Sequence, residues 1–411
     1  MTYFFRRQRG GLGEGAFSYL FLLVCLGIFI QISGLLFNQD GSKYATQLYF
    51  SLFIPSLFLL VVRKFDFLVS CQLSFILFFL LLSWVFLVGA LHEGSVRDAW
   101  YWLKVVLLIL LYVYAVSVAS QSLTGFKILV GCVFFVSALF AWLTLFNQYG
   151  VLDRPLVYPA VRSYRLFELG WGGLADLRHP VVAGLYYGIF IVLACWLFVC
   201  FPLRTWQIIS LVVCVLGVAL YVMFTFSRGA WFSVILSALT LLIISFNRKS
   251  QLLLILGGLA GAVFIYLYWS VFLAEYTVGL SNRDHIWDNW FHHLNAFWIY
   301  GAGAGAELFY RFSNGFEVVH AHSLYLQLWY EYGIVGISLF VALLLSLLWK
   351  GWQCREQPIA LLGLALLVFA MVAMISDVYA VFHRPSPYWV IFWFPVGILL
   401  GVQRKPATSL G

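Results

Sequence analysis

Residues 71–91 read CQLSFILFFLLLSWVFLVGAL, and between Cys71 and Leu91 no side chain is charged. A run of roughly 20 apolar residues, rising about 1.5 Å each, crosses the hydrocarbon of a bilayer as one helix. A membrane barrel would instead show short segments of alternating polarity. Comparable runs recur near residues 16–37, 45–62, 99–119, 126–147, 181–201, 206–226, 230–246, 251–271, 323–349, 358–377 and 388–402. The pattern predicts an all-α membrane protein with about 12 transmembrane helices. Composition agrees: of 411 residues 64% are hydrophobic and 10% charged, with a mean hydropathy of +0.97. No water-facing globular surface tolerates such values.

Twelve spans put both termini on one side. Arg6, Arg7, Arg9, Arg63, Lys64, Lys127, Arg204, Arg248, Lys249, Lys350, Arg355, Arg404 and Lys405 fall on that side, whereas the short turns opposite carry Lys43, Arg97, Arg228 and Arg384. Positive charge in short loops resists translocation, so both termini are predicted cytoplasmic. The first helix lacks a small-residue cleavage site and reads as retained. The formal net charge of +8 is thus largely topological, scattered in ones and twos, and points to no nucleic acid. Two segments, 148–180 and 272–322, are too long and too aromatic to be simple turns. Both emerge on the outer side and are expected to fold over a single membrane domain, 1–411, with short interfacial helices. The seven cysteines (Cys25, Cys71, Cys132, Cys195, Cys200, Cys214 and Cys354) lie in predicted helices or on the cytoplasmic side, as small packing residues and not as a disulfide framework.

Polar chemistry is one-sided. His92, His179, His285, His292, His293, His320, His322 and His383 all fall in outer loops or at outer helix ends, with most of the acids. The same side holds Arg154, Arg162, Arg165, Arg178, Arg228, Arg283 and Arg311. Guanidinium presents planar, paired donors that suit phosphate oxygens, though pairing with local carboxylates is the alternative for each. Arg228 sits in Thr225-Phe226-Ser227-Arg228-Gly229-Ala230-Trp231, a tight turn with little loop in which to snorkel. There Gly229 is expected to permit an unusual backbone and Ser227 to cap the following helix. Arg283 opens a segment whose Ile286, Trp287, Trp290, Phe291, Leu294 and Phe297 make an apolar face, with Ser281 or Asn282 as its expected cap. Gly301-Ala302-Gly303-Ala304-Gly305 lets backbone approach an anion but lacks the surroundings of a nucleotide loop. Lys104 lies one face below Arg97 and extends the positive lining.

The densest cluster is His320-Ala321-His322-Ser323, continuing to Leu326, Gln327, Glu331, Gly333 and Gly336. Beside arginines a histidine is held neutral and fit to act as a base. Paired histidines also suit a metal, with Glu317, Asp284, His285 or His292 completing a site, but no HExxH or CxxC pattern backs that. No metal and no cofactor are expected. Glu331, about 13 Å along its helix from His322 at 1.5 Å per residue, reads foremost as a helix-packing hydrogen-bond partner.

In order, spacing and topology, Ser227-Arg228-Gly229-Ala230, Arg283 with Ile286-Trp287, Gly301-Ala302-Gly303 and His320-Ala321-His322-Ser323 resemble the O-antigen ligase and polymerase superfamily of bacterial envelope glycosyltransferases. Ser323 departs from the Asn of many relatives but keeps a hydrogen-bonding group. The resemblance implies an inverting, metal-independent enzyme of the bacterial inner membrane. It would move a glycan from undecaprenyl diphosphate to an acceptor at the periplasmic face. It also implies His322 as the catalytic residue and Arg228 and Arg283 as diphosphate ligands; the reading of the residues themselves adds Lys104, Arg162, Arg165, His320, Gly301 and Gly303 as further candidates for substrate contact. Its partners would be the lipid-linked donor, a lipid A-core acceptor sugar and membrane lipid, with the chain a monomer. A polymerase or a protein O-oligosaccharyltransferase is the alternative within the superfamily. A transporter is the alternative outside it; transporters favour ionisable groups or broken helices at the midplane and two related halves.

Overall fold

The structure, a computed structural model, describes residues 14–38, 40–63, 72–279 and 281–403. Arg6, Arg7, Arg9, Lys64, Arg404, Lys405 and Cys71 lie outside the described residues. The chain is an all-α multi-pass membrane protein. Helix α1 (Glu14–Ser33) continues as a tight turn over Gly34–Leu36, and α2 (Gly41–Leu48) passes through a π-helical stretch (Tyr49–Phe53) into α3 (Ile54–Val62). Next come α4 (Leu73–Leu91), α5 (Ala99–Ser120) and α6 (Leu123–Leu145), the last extended by a π turn over Phe146–Val151. After α7 (Tyr158–Ser163) follow α8 (Pro180–Cys200), α9 (Thr205–Phe224), α10 (Arg228–Ser245) and α11 (Arg248–Leu267). The second long loop holds α12 (Trp269–Thr277), α13 (Arg283–His292), α14 (Leu294–Phe297) and a ribbon of β1 (Tyr310–Arg311) against β2 (Glu317–Val318). The chain closes with α15 (Leu324–Gln353), α16 (Pro358–Ser376), α17 (Pro387–Ile391) and α18 (Trp393–Gly401).

Side chains set many of these boundaries. Asp98, Ser122, Ser227 and Asn247 each accept amide protons of the turn that follows, satisfying donors that the helix leaves free at its start. Eleven helices among the described residues are long and apolar enough to cross a membrane. The expected twelfth, 388–402, is instead a pair broken at Phe392 (φ −109°, ψ −56°). Pro395 contributes because it has no amide proton to return to the preceding turn. This pair is core: Trp389, Trp393 and Val396 are wholly buried, and α18 packs along α5 and α16. The ninth span also stops early, at Leu267, and α12 begins as a separate element.

All connections after odd-numbered spans meet on one face, here called the loop face. It gathers the α9–α10 turn, both long loops and the α16–α17 connection. The second loop has its own small core of Ile286, Trp290, Phe297, Leu308, Val318 and Ala321. The apolar stripe read on α13 therefore docks largely onto protein, although Phe291 remains exposed.

Candidate functional site

The tight turn before α10 does not depend on glycine for its shape. Phe226 holds the left-handed backbone (φ 47°), whereas Gly229 is already helical. What Gly229 supplies is space: a Cβ there would overlap the Asp377 carboxylate. Ser227 does cap the helix, its Oγ accepting from the Ala230 amide at 3.4 Å. Arg228, the first residue of α10, then reaches the second loop. Its Nη1 donates to the Glu275 carbonyl (3.0 Å) and its Nη2 to the Ser281 hydroxyl (2.9 Å). Ser281 is thereby taken from the capping role, and Asn282, in left-handed conformation, makes no side-chain cap for α13.

Arg283 opens α13 and points back to the membrane domain. It donates from Nε to the Ser376 carbonyl (3.0 Å) and from Nη2 to Asp377 Oδ1 (2.8 Å). Asp377 is only 7% exposed. Burial pushes its pKa up, while Arg283, Arg165 and Arg228 pull it down. Its second oxygen accepts no hydrogen bond from the described residues. From the first loop, Arg162 Nε pairs with Glu275 Oε1 at 2.7 Å, beside the Tyr158 hydroxyl at 2.9 Å. Arg165 donates to the carbonyls of Thr225 (2.6 Å) and Phe226 (3.3 Å). Burial, helped by Arg162, lowers its pKa to about 10, so it stays a cation at neutral pH. Four guanidiniums thus share two buried carboxylates, Glu275 and Asp377. Carboxylate pairing holds Arg162 and Arg283. Arg165 and Arg228 bind neutral oxygens.

The histidine turn closes the site. His322 takes a left-handed backbone (φ 52°), and its ring lies 4.1 Å from that of His320. His320 in turn stacks on Tyr379, 3.9 Å away and nearly parallel. The Ala321 carbonyl between them accepts from Trp287 Nε1 (2.9 Å), one helical turn beyond Arg283, so α13 positions its arginine and the turn together. Burial pushes His322 down to about 3, with His320, Arg283 and His179 adding to the effect. Burial likewise pushes His320 down to about 4, reinforced by His179 and Arg283. His179, which caps α8, is lowered by burial, Arg165 and Arg283. These imidazoles are neutral near pH 7, in a setting of surplus positive charge; His179 and His320 accept from the Val181 (3.2 Å) and His322 (3.3 Å) amides, which leaves the lone pair of His322 for chemistry.

Sequence comparison bears on this segment. Residues 212–341 match the O-antigen ligase family. An O-antigen ligase of Pseudomonas aeruginosa (strain PAO1) is 28% identical over 175 residues, covering 42% of this chain and 43% of that relative. The matched stretch therefore spans less than half the length of the curated relative. The segment that matches contains Arg228, Arg283, Gly301, Gly303, His320, His322 and Glu331, while Lys104, Arg162, Arg165 and Asp377 lie outside it.

Not every residue picked from the sequence joins the cluster. Lys104 sits over the Tyr49 ring at 5.0 Å. Gly301 packs into a break in α15 at Gly333 (φ 66°, ψ −169°), and Gly303 packs against the Gly94–Ser95 backbone. Ala302 and Gly303 amides cap the Tyr330 (2.7 Å) and Glu331 (3.2 Å) carbonyls, Trp84 Nε1 caps Tyr332 (3.0 Å), and the Ile334 amide turns to Trp298 (2.8 Å). Glu331, as read, closes hydrogen bonds, with Gln327 and the Gly305 amide. No three His, Cys, Asp or Glu side chains among the described residues gather as metal ligands. Glu317 pairs with Arg311 and His292 with Asp288. Sequence reasoning did not place Asp377, Glu275, Tyr158 and His179 in the site. The one available signal was an acid directly at the end of an apolar span, which needs a partner.

Proposed function

We propose that the chain is a lipid-linked polysaccharide glycosyltransferase of the bacterial inner membrane. It transfers O-antigen polysaccharide from undecaprenyl diphosphate to a sugar hydroxyl of lipid A-core on the periplasmic face. The observation that carries this reading is the surplus of guanidinium over carboxylate beside a neutral His322. A diphosphate brings the missing negative charge, and Arg228 and Arg283 stand where it is needed. The acceptor hydroxyl attacks the anomeric carbon, the carbon–oxygen bond to the diphosphate breaks with inversion, and the leaving oxygen takes the electron pair. Arginines stabilise that developing charge, and His322 takes the hydroxyl proton. A base pushed down to about 3, chiefly by burial, is weak, and the incoming diphosphate offsets the smaller part that Arg283 contributes. Donor and base are thereby coupled.

The broken α15 is the feature that a transporter reading needs. Its freed carbonyls and amide are bonded to loop backbone and Trp84, leaving them committed to the protein and not to a passing ion. Complementing a deletion strain with Arg228→Ala, Arg283→Ala or His322→Ala and running a lipopolysaccharide gel tests the proposal. We expect each variant to lose about 100-fold or more of the capping, in line with removal of charge stabilisation or base, and carrier-linked polymer to accumulate. Full capping by Arg228→Ala and His322→Ala would sink the reading, and caps of a single repeat would point to a polymerase.

A further inference from the structure

His322 occupies a left-handed backbone region (φ 52°) that a non-glycine residue keeps only where its surroundings over-determine it. Trp287 on the Ala321 carbonyl and the His322 amide on His320 Nδ1 (3.3 Å) supply part of that hold, and a short chain of hydrogen bonds on the first two turns of α15 supplies another. The buried Ala321 amide donates to Gln327 Oε1 (3.0 Å). Gln327 Nε2 donates to Glu331 Oε1 (2.8 Å) and to the Ala306 carbonyl (3.3 Å). Glu331 Oε2 accepts from the Gly305 amide (2.9 Å). Gln327 and Glu331 are both nearly buried, 4% and 9% exposed.

We infer that Gln327 and Glu331 are positioning residues: the carboxylate fixes the orientation of the Gln327 amide, which holds the Ala321 amide and with it the turn that presents His322. The chain has one consistent direction. Turned over, Gln327 would set its NH2 against an N–H and its carbonyl oxygen against a carboxylate, two repulsive contacts in a dry place. Only an acid at 331 accepts from both Gln327 and Gly305 through separate oxygens. A glutamine there offers an NH2 to one of those two donors. A glutamate at 327 faces a second carboxylate, and the pair cannot both ionise. Exchanging the two side chains restores the order along the chain: the carboxylate, now at 327, accepts from the Ala321 amide and from the side-chain NH2 at 331, whose carbonyl oxygen accepts from Gly305, and the bond to the Ala306 carbonyl alone is lost. The role assigned to His322 rests on the transferase reading; the clasp does not.

The test uses the full chain in nanodiscs with Gln327→Glu, Glu331→Gln and the double exchange, read two ways. Hydrogen exchange follows the amides of residues 319–323, and glycan transfer from a lipid-linked donor gives kcat and KM. Each single variant should raise exchange at Ala321 by about tenfold or more, the scale of one lost buried hydrogen bond. Each should also lower kcat by about tenfold with the donor KM kept within about twofold, as for an interaction felt in the transition state alone. The double exchange should recover both readouts beyond either single variant, short of wild type by the lost Ala306 bond. Should either single variant fold poorly, Gln327→Leu, which cannot accept from Ala321, must show the same split. Unchanged exchange in the single variants, a double no better than its worse parent, or a loss confined to KM overturns the inference. A wild-type chain that transfers no glycan sinks the functional reading instead, and the exchange arm still decides the clasp.

Discussion

Gly229 and Asp377 show how much of the site turns on single atoms. The carboxylate needs the space a Cβ would fill, and from there it holds Arg283. Gly229→Ala should therefore cost about 1–3 kcal/mol as an overpacked contact, seen as a lower thermal midpoint, with glycan transfer falling more steeply than stability. Transfer at the wild-type rate would show that the Asp377–Arg283 pair is dispensable. His320 and His322 supply a second prediction. Their folded pKa values lie near 4 and 3, below the usual 6.5, so between those limits the unfolded chain binds protons that the folded chain refuses. Stability contributed by neutral imidazole is thus fully present above about pH 6.5 and falls as pH drops toward 4. Thermal midpoints should rise with pH across that window, and His320→Gln with His322→Gln should flatten the slope; an unchanged slope refutes the assignment. Arg228, Arg283 and His322 were legible in the sequence because a charge squeezed between apolar spans, or paired histidines at a helix start, stands out locally. Asp377 was not, since its partner Arg283 is 94 residues away and only the fold brings Gly229 against it.

Among elements, α15 departs furthest from what hydropathy can see. An apolar run reports that a segment is buried or lipid-facing but says nothing about whether its backbone continues, so 323–349 reads as one helix and 388–402 as another. Both are broken. At Gly333 the break is stabilised from outside: the 301–305 segment and Trp84 supply the donors that the helix no longer does. Glycine at 333 is required twice, by its left-handed φ and by the Ile299 carbonyl that a Cβ would strike. Gly333→Ala should cost more than the roughly 1–2 kcal/mol of the backbone conformation alone, and Trp84→Phe about 1 kcal/mol for the freed Tyr332 carbonyl. Differential scanning fluorimetry in detergent checks both. If Gly333→Ala melts with the wild type, α15 is not pinned there. The same segment, whose residue content favours a plain flexible turn even though its glycines could let backbone approach an anion, is thus a structural plug.

At the scale of the whole molecule, sidedness decides whether this site meets a periplasmic substrate. Counting every basic residue would mislead, because the loop face carries Arg162, Arg165, Arg228 and Arg283, held by carboxylates and carbonyls of the fold. The rule that positive charge stays cytoplasmic applies to short connections, since long segments translocate largely regardless of charge. The described short connections opposite the loop face, together with the first turn of α11, carry Arg63, Arg204, Arg248, Lys249 and Arg355. On that distribution we propose that the loop face is the outward one. The ribbon between β1 and β2 offers a direct probe: Ser313 is exposed there, and Glu356 is exposed in the connection between α15 and α16 on the opposite face. In cells with a permeabilised outer membrane, Ser313→Cys should react with a membrane-impermeant maleimide above the wild-type background. Glu356→Cys should stay unlabelled until the inner membrane is opened. The reverse pattern would place the arginine cluster in the cytoplasm, where a lipid A-core acceptor awaiting its O-antigen on the periplasmic side could not reach it, and would overturn the proposed direction of transfer while leaving the fold intact.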